Sequence, residues 1–283
     1  MDERYVSHVG DSGRSAPGLS VNGELMFPNV DYDAIASSYG RRYVQNDYSG
    51  VEEAVVAFVG NDVHGRVLEV GCGTGHWLLL IAGRGSRVVG LDASRNMLTH
   101  ARSRAPGVTL VHGVAEQLPL ASAVFGRLFY VNAFHHVRDK RRALAEARRV
   151  LRAGGQIMIV GLDPHAGVDR WYIYEYFGPV LEIDRRRYPA SSQIRQWMEA
   201  LQFANVHTRE VQHLPLRLSA EAAFAQGRLE KDATSQLSVL TDEEYHQGVS
   251  RIREAVKSAE VRGETLYLSA DLRLYATFGS VRS

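Results

Sequence analysis

A glycine-punctuated joint between strand and helix constrains this chain more than any other feature. Arg66-Val67-Leu68-Glu69-Val70-Gly71-Cys72-Gly73-Thr74-Gly75-His76 begins as a short β-branched and leucine-rich run. It then places three glycines at alternate positions and enters an apolar, helix-like segment. The run reads as a buried strand, a turn free of side chains and a helix N-terminus, and glycines there let the backbone approach a ligand closely. Arg87-Val88-Val89-Gly90-Leu91-Asp92 reads as the next parallel strand. Its terminal acid lies about 20 residues beyond the turn, where a carboxylate accepts hydrogen bonds from ribose hydroxyls. The two segments together predict an α/β fold that binds a nucleoside.

Hydrophobic periodicity extends this pattern. Strands are expected at residues 66–71, 87–92, 108–112, 127–132 and 156–161, with helices at 76–82, 96–104 and 138–152 between them. The last of these helices carries Ala143, Leu144, Ala147, Val150 and Leu151 on one face, and Gly154 and Gly155 are expected to end it. Such alternation implies a doubly wound, mostly parallel sheet. Further on, 192–203 reads as a helix, and 205–218 and 264–278 as two strands. About 45 residues separate those strands, far more than an ordinary connection. That piece should end in a helix announced by a Thr241/Glu244 capping box and a Leu240/Tyr245 staple.

The 283 residues carry a formal net charge of +1, so no global field favours nucleic acid or an acidic membrane. One cysteine, Cys72, allows no disulfide within the chain, which fits a reducing cytoplasm. No run approaches the roughly 18 apolar residues of a membrane span. The first residues, Met1-Asp2-Glu3-Arg4, lack an apolar signal region. The histidines are scattered, and no metal constellation is expected.

Glycine spacing narrows the ligand. A dinucleotide turn is G-x-G-x-x-G, with a pyrophosphate at the helix that follows. Here the spacing is G-x-G-x-G, and His76 stands where the third dinucleotide glycine would be. Glu-Val-Gly-Cys-Gly-Thr-Gly followed by Gly-Leu-Asp resembles the class I S-adenosylmethionine-dependent methyltransferases. Ala115-Glu116-Gln117-Leu118-Pro119-Leu120 resembles the third segment of that family, and Asn132-Ala133-Phe134-His135-His136-Val137 the fourth. The stretch from Arg148 to Ile159 resembles the fifth. The wording is similar to the small-molecule branch, which includes quinone C-methyltransferases and natural-product O-methyltransferases.

The resemblance implies a Rossmann-like, seven-stranded, mostly parallel sheet with a helical cap and insertions. Residues 1–30 are read as a flexible arm and 31–283 as a single methyltransferase domain. Within it, 31–60 supply cap helices, 61–164 the cofactor-binding core, and 165–190 and 219–262 the acceptor-side insertions. S-adenosylmethionine is the implied cofactor, held by Gly71, Gly73 and Gly75 of the turn and by Asp92 at the ribose. Asp92 could instead cap the next helix, a role open to Ser94. Glu69 would orient the methionine end or pair with a cap arginine. Tyr39, Arg42 and Tyr43 would close over the cofactor, Met97, Val114 and Ala115 would surround the adenine, and Asn132 would border the donor methyl. Many members carry an acid at the position of Val114, and Glu116 is the alternative partner for the adenine amino group.

His135, His136 and Glu175 are the candidate bases, and Trp171, Tyr172, Tyr174 and Tyr176 the candidate acceptor wall. An aromatic cluster with a carboxylate would steer an amine acceptor, or else be core. Asn132-Ala133-Phe134 lacks the paired prolines of nucleobase amino-methyltransferases, which argues with the neutral charge against nucleic acid. The expected activity is methyl transfer to a small organic acceptor. A nicotinamide-dependent oxidoreductase and a non-catalytic, methyltransferase-like binding protein are the alternatives.

Overall fold

The computed structural model describes residue 40 and residues 42–60, 65–84 and 87–282. The arm expected over 1–30 lies outside them, as does Tyr39. The described chain enters through α1 (Arg42–Gln45) and α2 (Ser49–Val59). It then alternates β1 (Arg66–Val70), α3 (His76–Ala82), β2 (Arg87–Asp92), α4 (Arg95–Arg104) and β3 (Thr109–His112). Next come β4 (Phe125–Val131), α5 (Lys140–Val150) and β5 (Leu151–Leu162). These five strands pair in parallel in the order β3-β2-β1-β4-β5. In the central strands β1, β4 and β5 the Val, Leu, Ile and Phe residues are, except for Leu162, buried on both faces, as a sheet covered by helices on each side requires.

Beyond β5 the sheet turns antiparallel. A two-residue strand β6 (Arg170–Trp171) leads into α6 (Tyr172–Tyr176), α7 (Val180–Arg187) and α8 (Ser191–Ala200). The long β7 (Phe203–Ser219) and β8 (Tyr267–Val281) then pair along nearly their whole lengths. The other edge of β8 pairs with β5 over Gln156–Leu162 and then with β6. Seven strands of four or more residues are therefore present among the described residues, in keeping with the expected seven, with the two-residue β6 as an eighth. Between β7 and β8 lie α9 (Ala220–Ala225), α10 (Ser235–Ser238) and α11 (Asp242–Val261). Thr241 and Glu244 close the predicted capping box at the start of α11.

One local expectation is corrected. Gly154 and Gly155 do not terminate α5, which ends at Val150 and passes directly into β5. Gly154 has φ +69, and the β4–β5 pairing slips register between the Phe125–Leu151 and Arg127–Gln156 pairs. The glycines thus form a bulge that bends the strand back into line.

Three apolar clusters result. Leu68, Tyr130, Leu144 and Ile157 are among those packing one face of the sheet, and Val67, Trp77, Ile81 and Met158 among those packing the other. The third lies apart. Tyr172, Ile173, Phe177 and Val180 meet Ala223, Leu237, Val249 and Ile252 there, beside Leu268 at the start of β8. Because β8 runs antiparallel to β5, its first residues lie beyond the carboxyl end of β5. The third cluster therefore stands past the edge of the sheet where open α/β folds bind ligands. Arg228 of this insertion donates to the Gln45 carbonyl at 2.6 Å and to Asn46 Oδ1 at 3.2 Å, joining it to the cap.

Candidate active site

A cleft of about 930 Å³ opens at the carboxyl ends of β1, β2 and β4. Its floor follows from the glycine turn. Gly71 has φ +75, and a Cβ built on it would lie 2.5 Å from the Ala133 Cβ, so only glycine permits this approach of β1 to the end of β4. Gly73 donates its amide to Asp92 Oδ2 at 2.7 Å, and the Ser94 amide donates to Oδ1 at 2.9 Å. Asp92 is thus held facing the turn, while Ser94 Oγ caps α4 by accepting from the Met97 amide. The alternative role weighed for Asp92 falls to Ser94.

Val70, Leu91, Met97 and Ala115 give the cleft apolar walls. Asn132 follows β4 with φ +50, a left-handed conformation that costs energy away from glycine and recurs at functional sites. Glu116, expected as a partner for adenine, lines the cleft. Its Oε1 accepts from the Arg138 and Asp139 amides and thereby shapes the loop after β4.

Of the residues singled out from sequence, Gly71, Gly73, Asp92, Met97, Val114, Ala115, Asn132 and His136 line the cleft. Val114 is 47% exposed at the mouth. Gly75 does not line the cleft: it precedes α3, where a Cβ would press on Ala101. Glu69 lies behind the turn, fully buried, and neither carboxylate oxygen has a hydrogen-bond partner. Burial, with Asp92 nearby, pushes its pKa well up. Tyr43 stacks on His76 at 3.8 Å between ring centres rather than lining the cleft. Arg42 begins α1, and its side chain lies outside what is described.

Several acceptor-side candidates sit elsewhere. Glu175 is exposed on α6 and is not among the residues lining the cleft. His135 is buried and stacked on Tyr188, 3.9 Å between ring centres, away from the cleft lining. Tyr172 is buried in the third cluster, and Trp171, Tyr174 and Tyr176 pack against it. The Tyr174 hydroxyl donates to Asp184 Oδ2 at 3.0 Å. The aromatic stretch is the core of the insertion, the second of the two roles open to it from sequence.

Sequence reasoning missed Tyr130. This fully buried phenol lines the cleft with no hydrogen-bond partner for its oxygen, and burial raises its pKa. Its signal was available, because residues two apart on a strand share a face and Tyr130 lies two before Asn132. Arg138 and Arg142, also missed, stand at the rim.

The comparisons agree with this geometry. Residues 68–159 match the family model described as a methyltransferase domain. Within that span the chain is similar to class I methyltransferase domains. A relative in Mycolicibacterium smegmatis, named a probable S-adenosylmethionine-dependent methyltransferase, is 32% identical over 153 residues, covering 53% of this chain and 55% of its own. A demethylmenaquinone methyltransferase of Staphylococcus aureus is 29% identical, covering 58% and 69%. The chain thus spans about half the length of the first curated relatives that it matches. The fold recurs in the YcgJ protein of Bacillus subtilis, with TM-score 0.57, 22% identity, and 84% and 100% of the two chains covered. It recurs also in phosphoethanolamine N-methyltransferase 2 of Haemonchus contortus, solved with S-adenosylmethionine, at TM-score 0.57 and 17% identity, covering 89% and 57%.

Proposed function

We propose that this protein transfers a methyl group from S-adenosylmethionine to a small organic acceptor. The observation that carries the reading is Asp92, tied to the Gly73 and Ser94 amides at the edge of a cleft whose floor excludes even one added methyl at Gly71. Such a floor suits a nucleoside lying against bare backbone. Val70, Leu91, Met97 and Ala115 would hold the adenosine part, Asp92 its ribose, and the turn, backed by Glu69, the cationic methionine end. Bound there, the cofactor supplies an electrophilic methyl on a sulfonium.

The protein's own contribution is positioning and the exclusion of water. Asn132 and Ala133 would border the methyl, with His136 and Val137 continuing the wall on the acceptor side. A concave cleft of about 930 Å³ is of the size that takes a small molecule beside the cofactor. A nicotinamide cofactor is disfavoured by the lack of a pyrophosphate turn. The antiparallel final strands also depart from the parallel sixth strand of dinucleotide folds. Calorimetric titration decides the matter: S-adenosylhomocysteine should bind and raise the melting temperature while NAD and NADP do neither, and the reverse result would refute the proposal.

Among the described residues no helix is long and apolar enough to cross a membrane. The modest charge supports an acceptor other than nucleic acid.

A further inference from the structure

We infer that His112 is a positioning residue for Asp92. It fixes the orientation of one peptide unit, and that unit aims the carboxylate assigned to the ribose. The ligand half rests on the methyltransferase reading; the held peptide does not.

His112 closes β3 and stands beside Asp92, the end of β2, in the parallel pairing of the two strands. It is exposed and is not among the residues lining the cleft. Its ring Nε2 lies 3.0 Å from the Ala93 carbonyl oxygen. A carbonyl only accepts, so Nε2 carries the proton of this bond. Both the neutral ring protonated there and the imidazolium satisfy that condition.

The Ala93 carbonyl belongs to the same peptide unit as the Ser94 amide. No peptide bond among the described residues is cis, and in a planar trans unit the C=O and N–H point in opposite directions. Turning the oxygen toward His112 therefore turns the Ser94 N–H the other way. There it meets Asp92 Oδ1 at 2.9 Å. One imidazole proton on β3 thus sets the direction of a donor that holds the carboxylate. The neighbouring Gly113 amide adds a second tie, donating to the Asp92 carbonyl at 3.1 Å. Gly73 meets the other carboxylate oxygen, Oδ2, from the opposite side of the cleft floor.

Asp92, Ala93 and Ser94 all line the cleft, so a rotation of this peptide displaces the ribose subsite itself. A carboxylate aimed in advance by two amides needs no ordering when the ribose hydroxyls arrive. Without the ring, that ordering falls to the binding step. Because His112 is exposed, water can replace it at the Ala93 oxygen, and the effect is that of one ordinary hydrogen bond. The expected loss of affinity is about threefold to tenfold.

NMR of the full chain and calorimetric titration with S-adenosylhomocysteine test this together. Nitrogen-15 NMR should find His112 Nε2 protonated at neutral pH. In His112→Ala, without ligand, the Ser94 amide proton should move upfield, as a weakened hydrogen bond requires. The same variant should bind S-adenosylhomocysteine about threefold to tenfold more weakly. His112→Gln places a side-chain amide donor at similar reach, and its affinity should recover in step with the Ser94 shift. In an Asp92→Ala background, His112→Ala should leave the remaining affinity unchanged, because the ring acts only through that carboxylate. A bare Nε2, an unmoved Ser94 amide, wild-type affinity in His112→Ala or an equal loss in both backgrounds overturns the inference. A Gln variant that restores the shift without the affinity does so too. Failure of the wild type to bind S-adenosylhomocysteine would instead count against the methyltransferase reading, and the ring and the Ser94 amide would then decide the positioning.

Discussion

The Gly73 amide and the Asp92 carboxylate meet at 2.7 Å, which couples the turn after β1 to the end of β2. One side chain therefore both shapes the turn and faces the ligand. Asp92→Ala should weaken S-adenosylhomocysteine binding by about 1.5–3 kcal/mol, the value of a hydrogen bond to a charged group. Calorimetric titration checks this, and an unchanged affinity would remove Asp92 from the site.

Gly71→Ala should be worse for the fold. The positive φ costs a residue with a Cβ about 1–2 kcal/mol, and the new methyl must also displace Ala133 from 2.5 Å. Both a lower melting temperature and lost cofactor binding are expected in thermal melts and titration of the same sample.

Gly248 tests whether the insertion is separable from the cofactor floor. Alanine gains about 1 kcal/mol of helix propensity over glycine. Its Cβ, however, would stand 2.1 Å from the Phe177 ring, and overpacking of this kind costs about 1–3 kcal/mol. Overlap should win, so Gly248→Ala should loosen the third cluster. Hydrogen exchange should quicken in α11 while S-adenosylhomocysteine affinity holds.

Tyr174→Phe removes the hydroxyl from Asp184 and should cost about 1–3 kcal/mol of stability. Exposed Glu175→Ala should shift stability by no more than about 0.5 kcal/mol. Chemical denaturation of both variants separates an insertion core from an acceptor wall. A wall would show the smaller stability loss at Tyr174 and a selective rise in the acceptor KM.

Asp184 gives the pH dependence. Its folded pKa, about 6, lies above the unfolded value near 3.9. The folded state therefore holds the proton longer, and stability falls as pH rises from about 4 to 6 and is level above. The loss is of the order of 2–3 kcal/mol for this fully buried group. Denaturation of wild type and Asp184→Asn across that range should show the steeper fall in the wild type, because Asp169, which burial also raises to about 6, contributes to both.

What could be read from sequence divides by range. The turn and the Asp92 strand were legible because their chemistry is local: backbone freedom at Gly71 and an acid at a strand end. Gly154 and Gly155 misled because a bulge and a helix stop use the same residue. Glu175 misled because a five-residue helix gives too little periodicity to say which way a side chain faces. The Arg187–His136 contact, joining residues 51 positions apart, had no local signal at all.

The last strand has a consequence for how the chain assembles. Until β8 docks, β5 is the outer strand of the parallel sheet, with Ile157, Met158, Ile159 and Val160 beside an unpaired row of backbone groups. That is an adhesive edge of the kind that drives aggregation. Its cover comes from residues more than 100 positions further along the chain and serves β6 and β7 as well. Such long-range pairing is slow to form, so this edge depends on the last strand for its cover, and damage to β8 should show first as insoluble protein.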